Sequence, residues 1–370
     1  VVRRDPSVLA VTAADGLVES FAEQARLLEA VESGVAEYLE TKRVAFPRLF
    51  FLSNDDLIEI TTTSDPLSVQ PHIIKCFENA RKLSFDEKLR VCGVTSTEGE
   101  CVRFNGSIDP QATDGRVEQW LQQVDGLMKV TLAALCKRAH MAYATKPRME
   151  WMLDWPAMTA IAVMQIFWTR QTEAALVSGG NRGLREHLAR LRSQLEDMTK
   201  MVRTDLSQLQ RKTLGAILTL DVHGRDVVSR MVDTDAQSTS DFKWISQLRY
   251  YYDPDGPDGV TEGADIEIHV IAAVARYGWE YLGNSFRLVI TELTERCYST
   301  LMCAYQLGLG GAPQGPAGTG KTETTKDLCV ALPGRPRSPR RQHAAPAAHA
   351  RAAHAQPHCM QPRPHCPPPP

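Results

Sequence analysis

Eight consecutive residues carry the clearest chemical signature in the chain: Gly315 to Thr322 read Gly-Pro-Ala-Gly-Thr-Gly-Lys-Thr. A glycine, four residues, a second glycine, a lysine and a hydroxyl residue is the spacing of a phosphate loop. Gly315, Gly318 and Gly320, with Pro316, Ala317 and Thr319 between them, let backbone N–H groups wrap a polyphosphate closely. Lys321 adds a point charge near the β and γ oxygens, and the Thr322 hydroxyl can ligate Mg²⁺. The chemistry expected is therefore binding of ATP or GTP. Thr322 to Leu332 contain neither Gly nor Pro and should open a helix whose positive end faces the phosphates. The approach is less regular, because Leu307 to Ala312 carry three glycines where a long apolar strand usually leads into such a loop.

The elements that must position this loop read as mainly helical. Asp15 to Lys42 place Leu17, Phe21, Leu28, Val31, Val35 and Tyr38 at three-and-four spacing, and Pro47 ends that helix. Arg48 to Leu52 read as a short buried strand. Ser53 with Asp56 resembles a capping box that starts a helix over Asp56 to Ile60, and a further helix is expected over Ile73 to Leu83. Glycines and cysteines between Phe85 and Pro110 suggest a hairpin. From Val117 the helical period returns through Trp120, Val124, Leu127, Thr131 and Leu135, all expected in the core. Asp154, Trp155 and Pro156 look like the start of a helix over Met158 to Leu176, with Pro in the first turn, and Gly179 to Gly183 should break it. Leu184, Leu188, Leu191, Leu195, Met198 and Val202 then alternate steps of four and three. The pattern slips at Asp205, which favours a helix packed in a bundle over a free coiled coil. Phe242 to Tyr252 read as a strand packed by aromatics before the turn Asp253-Pro254-Asp255-Gly256, and Ile266 to Val270 as a half-buried strand. Gly278 to Arg287 should be a loop, Leu288 to Ile290 a short apolar run, and Thr294 to Leu307 a helix.

Other candidate chemistry is weaker. Cys92 and Cys101 lack His or Cys partners at metal spacing and read as buried thiols. His223 has no second catalytic group at a readable spacing and reads as structural. The formal charge of -2 argues against general nucleic-acid or membrane-surface binding. Met158 to Trp168 is too short to span a bilayer. Nine cysteines without a recognisable secretory leader suggest reduced thiols in the cytosol. After Leu332 the composition changes: Pro333 to Pro370 hold half of the 22 prolines and half of the 10 histidines, with no acidic residue. Such a tail is expected to be disordered.

Several stretches, in order and spacing, resemble the dynein heavy chains. They are Phe51-Leu-Ser-Asn-Asp-Asp-Leu57, Gln70-Pro-His72, Lys75-Cys-Phe-Glu-Asn79, Trp155-Pro156 with Gln165, and Asp221-Val-His-Gly-Arg-Asp226. Phe242 to Tyr252, Tyr281-Leu-Gly-Asn284, Leu288-Val-Ile-Thr291, Arg296-Cys-Tyr298, Gly310-Gly-Ala-Pro313 and Glu323-Thr-Thr-Lys-Asp-Leu328 continue the series. The likeness covers about Phe46 to Leu332 and is closer to the axonemal branch. It implies a partial helical linker over 1–275, the start of the first AAA+ module, an α/β phosphate-loop fold, over 276–332, and a tail over 333–370 that could be an artefact of the gene model.

The resemblance further implies a minus-end-directed microtubule motor of the cytoplasm, cytoskeleton and ciliary axoneme, in which ATP binding and hydrolysis swing the linker. Its implied partners are microtubules, dynein intermediate and light chains, and other dynein heavy chains. Carried over by position, Gly315 to Thr322 hold the triphosphate, Thr322 the magnesium, and Leu288, Val289, Ile290 and Thr291 lie against the adenine. Glu292 departs from the proline usual in the family. A Walker B acid pair, sensors, an arginine finger, a stalk and a microtubule-binding tip are not found in these residues, so this chain is expected not to hydrolyse ATP usefully by itself. Two other classes fit the residues: another phosphate-loop ATPase, or a helical interaction arm with a vestigial loop.

Overall fold

A computed structural model describes residues 16–63, 65–253 and 265–332. The expected turn after Asp253 and the Pro-rich tail lie outside these residues.

The chain opens with helix α1 (Leu17–Ala45), a 3-10 turn (Pro47–Phe51), α2 (Asn54–Thr62), a second 3-10 turn (Pro66–His72) and the single turn α3 (Ile73–Cys76). The predicted capping box is present: Ser53 Oγ accepts from the Asp56 amide at 3.1 Å, and the Asp56 carboxylate accepts from the Ser53 amide at 3.2 Å. The apolar stripe of α1 is not buried, however. Phe21, Leu28 and Val31 are more than half exposed, and Leu39 is the residue of this helix that enters the core.

Strands β1 (Ala80–Phe85), β2 (Val91–Ser96) and β3 (Cys101–Ile108) form an antiparallel sheet in sequential order. Leu83 pairs with Val94 and Val94 with Val102, so three apolar side chains share the buried face. Helix α4 (Val117–Ala142) packs on this sheet, and α5 (Arg148–Trp151) leads to α6 (Ala157–Val202), which α7 (Gln208–Asp233) follows back. Trp120, Val124 and Thr131 are buried as expected, while Leu127 and Leu135 are half-buried. The expected break at 179–183 is a kink inside α6, where Gly180 takes φ 56 and ψ -134. Leu184, Leu188 and Leu191 beyond the kink join Val227, Val228 and Met231 of α7 in one apolar cluster. This is bundle packing of the kind the pattern favoured.

The turn α8 (Phe242–Ile245) precedes a second antiparallel sheet of β4 (Arg249–Asp253), β5 (Asp265–Val270) and β6 (Ala273–Arg276). Tyr250 pairs with Ile268 and Ile268 with Ala275, all buried. A connector follows, then α9 (Glu292–Gln306), the phosphate loop and α10 (Lys321–Ala331).

Several expectations are corrected. Arg48 to Leu52 are not a strand: Pro47 sits in the first turn of a 3-10 helix that ends at Phe51, and Phe50 and Phe51 are about half exposed. The helix expected over Ile73 to Leu83 stops at Cys76, Asn79 turns the chain at φ 60, and pairing with β2 draws Ala80–Phe85 into a strand. Phe242 to Tyr252 are one helical turn and then a strand. Pro156 is the residue before α6, not part of its first turn. Cys92 is half-buried and Cys101, at the start of β3, is exposed. As their three glycines suggest, Leu307 to Ala312 form no strand leading into the loop.

Candidate nucleotide-binding site

The phosphate loop leaves α9 at Gln306 and enters α10 at Lys321. Gly318 and Gly320 have φ of 77 and 76, the left-handed region that favours glycine, and no atom lies within 4 Å of where a Cβ would stand at either position. The requirement for glycine there is conformational, and the loop surface stays open. The loop holds itself together through Thr319 Oγ1, which donates to the Pro316 carbonyl at 2.9 Å. Lys321 Nζ donates to the same carbonyl and stands 3.4 Å from Thr319 Oγ1. Gly320 caps α10 without a side-chain hydrogen bond. The first amides of that helix therefore face the loop with the positive end of the helix dipole behind them. Thr322 is exposed in the same first turn. Open glycines, an ammonium held only by the loop itself and an uncapped helix start fit a phosphate chain, and the Thr322 hydroxyl is a hard-oxygen ligand suited to Mg²⁺.

The second group of candidate residues lies in the connector. Leu288 and Ile290 are half-buried, Val289 is 65% exposed, and Thr291 caps α9. They belong to neither sheet. What joins them to the phosphate loop is Asp327, on the buried face of α10 with Thr324, Leu328 and Ala331. Its Oδ1 accepts from the Leu288 amide at 2.9 Å, and its Oδ2 accepts from Arg287 Nη2 at 3.0 Å and from the Tyr298 hydroxyl at 2.6 Å. Asp327, Arg287 and Tyr298 were not singled out from the sequence as site residues. The readable signal is a carboxylate on the core-facing side of a short helix, beside Leu328 and Ala331, which burial makes costly unless donors meet it.

The helical body grips the connector at many points. Tyr281 donates to Glu100 Oε2 at 2.9 Å, and Glu100 Oε1 also accepts from the first amide of α6 at 2.7 Å. Asn79 Nδ2 donates to the Leu282 carbonyl at 2.8 Å, and Asn284 Nδ2 to Thr213 Oγ1 on α7 at 2.7 Å. Arg230 on α7 pairs with Glu292 at 3.3 Å and with Glu295, both on α9. Tyr250 on β4 donates to the Ala331 carbonyl at the end of α10 at 2.9 Å.

His223 lies in this junction. Its Nδ1 is 3.7 Å from Glu295 Oε1, beyond hydrogen-bond reach, and Glu295 is already paired with Arg230. Burial, aided by Arg230, therefore decides and pulls the imidazole down to about 4, so it stands neutral near pH 7. A cavity of about 30 Å³ lies beside it, away from the phosphate loop, between α6, α7, β4 and the connector. Two lining residues, Trp168 and Arg287, carry N–H groups with no protein acceptor. The space suits about two waters and is far too small for a nucleotide base. Among the described residues no group of three or more His, Cys, Asp or Glu side chains could hold a metal ion, and no helix is long and apolar enough to cross a membrane.

Fold and site together define a helical body, with two small antiparallel sheets, that carries the opening loop and helix of a phosphate-loop nucleotide-binding module. Residues 1–139 match the family described as "Dynein heavy chain, N-terminal region 2", and residues 277–335 match "Hydrolytic ATP binding site of dynein motor region". The chain is 46% identical over 330 residues to dynein axonemal heavy chain 12 of Rattus norvegicus, covering 89% of this chain and 10% of that protein. It is 47% identical over 329 residues to dynein axonemal heavy chain 3 of Mus musculus (89% and 8%) and 46% identical over 317 residues to dynein axonemal heavy chain 1 of Homo sapiens (85% and 7%). The chain belongs to the dynein heavy chains and spans about a tenth or less of the length of these relatives.

Proposed function

We propose that this chain is the linker-to-motor junction of an axonemal dynein heavy chain, an ATP-driven, minus-end-directed microtubule motor of the ciliary axoneme. In this reading 1–275 are part of the linker and 276–332 open the first AAA+ module. Gly315 to Thr322 hold the triphosphate: the loop amides and Lys321 neutralise its charge, and the Thr322 hydroxyl ligates magnesium. Leu288, Val289, Ile290 and Thr291 line the adenine side. Bound Mg²⁺ would neutralise charge on the phosphate oxygens. The residues of this chain bind and orient. Hydrolysis, microtubule contact and the intermediate and light chains are assigned to the longer parent protein, in the cytoskeleton.

The observation that carries the reading is the loop with left-handed Gly318 and Gly320 opening directly into α10 at Lys321, within the residues that match the hydrolytic ATP site of the family. The test is thermal melting of the full 370-residue chain with and without MgATP. Saturating nucleotide at about 100 times Kd should stabilise the folded state by about 2.7 kcal/mol. Lys321→Ala should abolish the shift without lowering the melting temperature in nucleotide-free buffer, because Lys321 Nζ contacts only loop atoms. Absence of any shift for the unsubstituted chain would favour the vestigial-loop reading.

A further inference from the structure

We propose that Asp327 is a positioning residue that sets the register between the phosphate side and the base side of the nucleotide site. The inference rests on the nucleotide reading above and adds to it a residue that touches neither phosphate nor base.

One rigid helix carries both ends of the relationship. Lys321 and Thr322 stand in the first turn of α10, and Asp327 follows six residues later, about 9 Å along the axis. Asp327 is buried, and its carboxylate takes three donors from two other segments: the Leu288 amide and Arg287 Nη2 from the connector, and the Tyr298 hydroxyl from α9. Residues 288–291 have no sheet ladder to hold them. They are fixed at one end by the Thr291 cap of α9 and at the other where Asp327 grips Leu288, while the Arg287 and Tyr298 bonds fix the carboxylate's own orientation.

The chemistry needs a carboxylate. Asp327 offers two oxygens to three donors, one of them a guanidinium, in a buried setting where such bonds are strong. An asparagine has one acceptor oxygen, and with that oxygen on Leu288 its amide would meet the Arg287 guanidinium donor to donor, although the Tyr298 hydroxyl could turn and accept. It could keep the Leu288 bond or the Arg287 bond in the present arrangement, but not both. A loop cradled by its own glycines should survive that change, whereas the adenine wall should lose its register.

The experiment is isothermal titration of the full chain with MgATP and, separately, with magnesium tripolyphosphate, which has the phosphate chain and no base. The unsubstituted chain should bind MgATP more tightly than tripolyphosphate. Asp327→Asn should weaken MgATP by about tenfold while tripolyphosphate changes less than about twofold. Tyr298→Phe, which keeps the carboxylate and Arg287, should move the ratio the same way by a smaller factor. If Asp327→Asn fails to fold in a circular-dichroism melt, Tyr298→Phe carries the decision. An unchanged ratio, or equal weakening of both ligands, overturns the proposal and leaves Asp327 as a structural ion pair. Equal binding of both ligands by the unsubstituted chain also overturns it, while the phosphate loop stands. Binding of neither overturns the nucleotide reading and this inference with it.

Discussion

Arg287 and Asp327 form a buried ion pair across the join between connector and phosphate-loop helix, with Nη2 to Oδ2 at 3.0 Å and each side chain 4% exposed. Removing one partner strands the other in a low-dielectric setting. Arg287→Ala should cost about 3–5 kcal/mol, whereas Arg287→Met combined with Asp327→Leu should cost less than the sum of the two single changes. Urea unfolding of the four proteins of this cycle gives the coupling directly. Simple additivity would mean that the pair does not hold the join.

Gly224 faces the indole of Trp168 across α6 and α7. A Cβ there would stand 2.6 Å from Trp168 Nε1, and the indole cannot swing freely because Trp168 packs on the buried Trp244 ring at 5.2 Å. Gly224→Ala should destabilise by about 1–3 kcal/mol through overpacking. Trp168→Phe should recover part of that loss in the double variant, read as melting temperature.

Gly180 bends α6 at a backbone conformation with positive φ, and a Cβ would stand 2.5 Å from Gln237 Oε1. Gly180→Ala should cost about 1–3 kcal/mol from backbone strain. Removing the flexible obstacle with Gln237→Ala should restore little of it, because the φ, ψ pair and not the side chain is the larger obstacle. Full recovery in the double variant would show the reverse.

Acid should weaken the helical body before it reaches the carboxylate range. Burial, aided by Arg190, brings His187 down to about 4, and burial, aided by Arg230, does the same for His223. Asp226 and Asp327 oppose this at His223, Arg287 adds to it, and Glu295 stands nearby without a hydrogen bond. Both folded values lie below the usual 6.5 of histidine, so between pH 6.5 and 4 the unfolded chain binds more protons than the folded one. Stability is then full above about pH 6.5 and falls as pH drops toward 4, by up to roughly 3 kcal/mol per histidine. Denaturation midpoints from pH 7.5 to 5 should decline, and His187→Gln should flatten the slope. A flat profile for the unsubstituted chain would contradict the burial of both rings.

The phosphate loop was readable in full from residue types and spacing because its chemistry is local: glycines, lysine and threonine within eight positions define the cradle whatever surrounds it. The long helices were readable for a similar reason. Trp120, Val124 and Thr131, or Leu184, Leu188 and Leu191, repeat at a period only a helix satisfies. Short segments were not. Leu49 and Leu52 fit a strand or a tight turn equally well alone, and Ala80 to Phe85 became a strand because Val91–Ser96 lies alongside. Likewise the stripe on α1 has helical spacing, yet only tertiary structure shows that most of it faces outward in the described residues.

Asp327 marks the same boundary within the site. Its position in α10 is plain from the sequence, but its partners Arg287, Leu288 and Tyr298 lie 29 to 40 residues away. The sequence determined which residues can cradle a triphosphate and which stretches must be helices, since those properties depend on neighbours within a few turns. Tertiary structure alone decided which buried charge ties that cradle to the connector, because a long-range hydrogen bond leaves no period and no spacing to read.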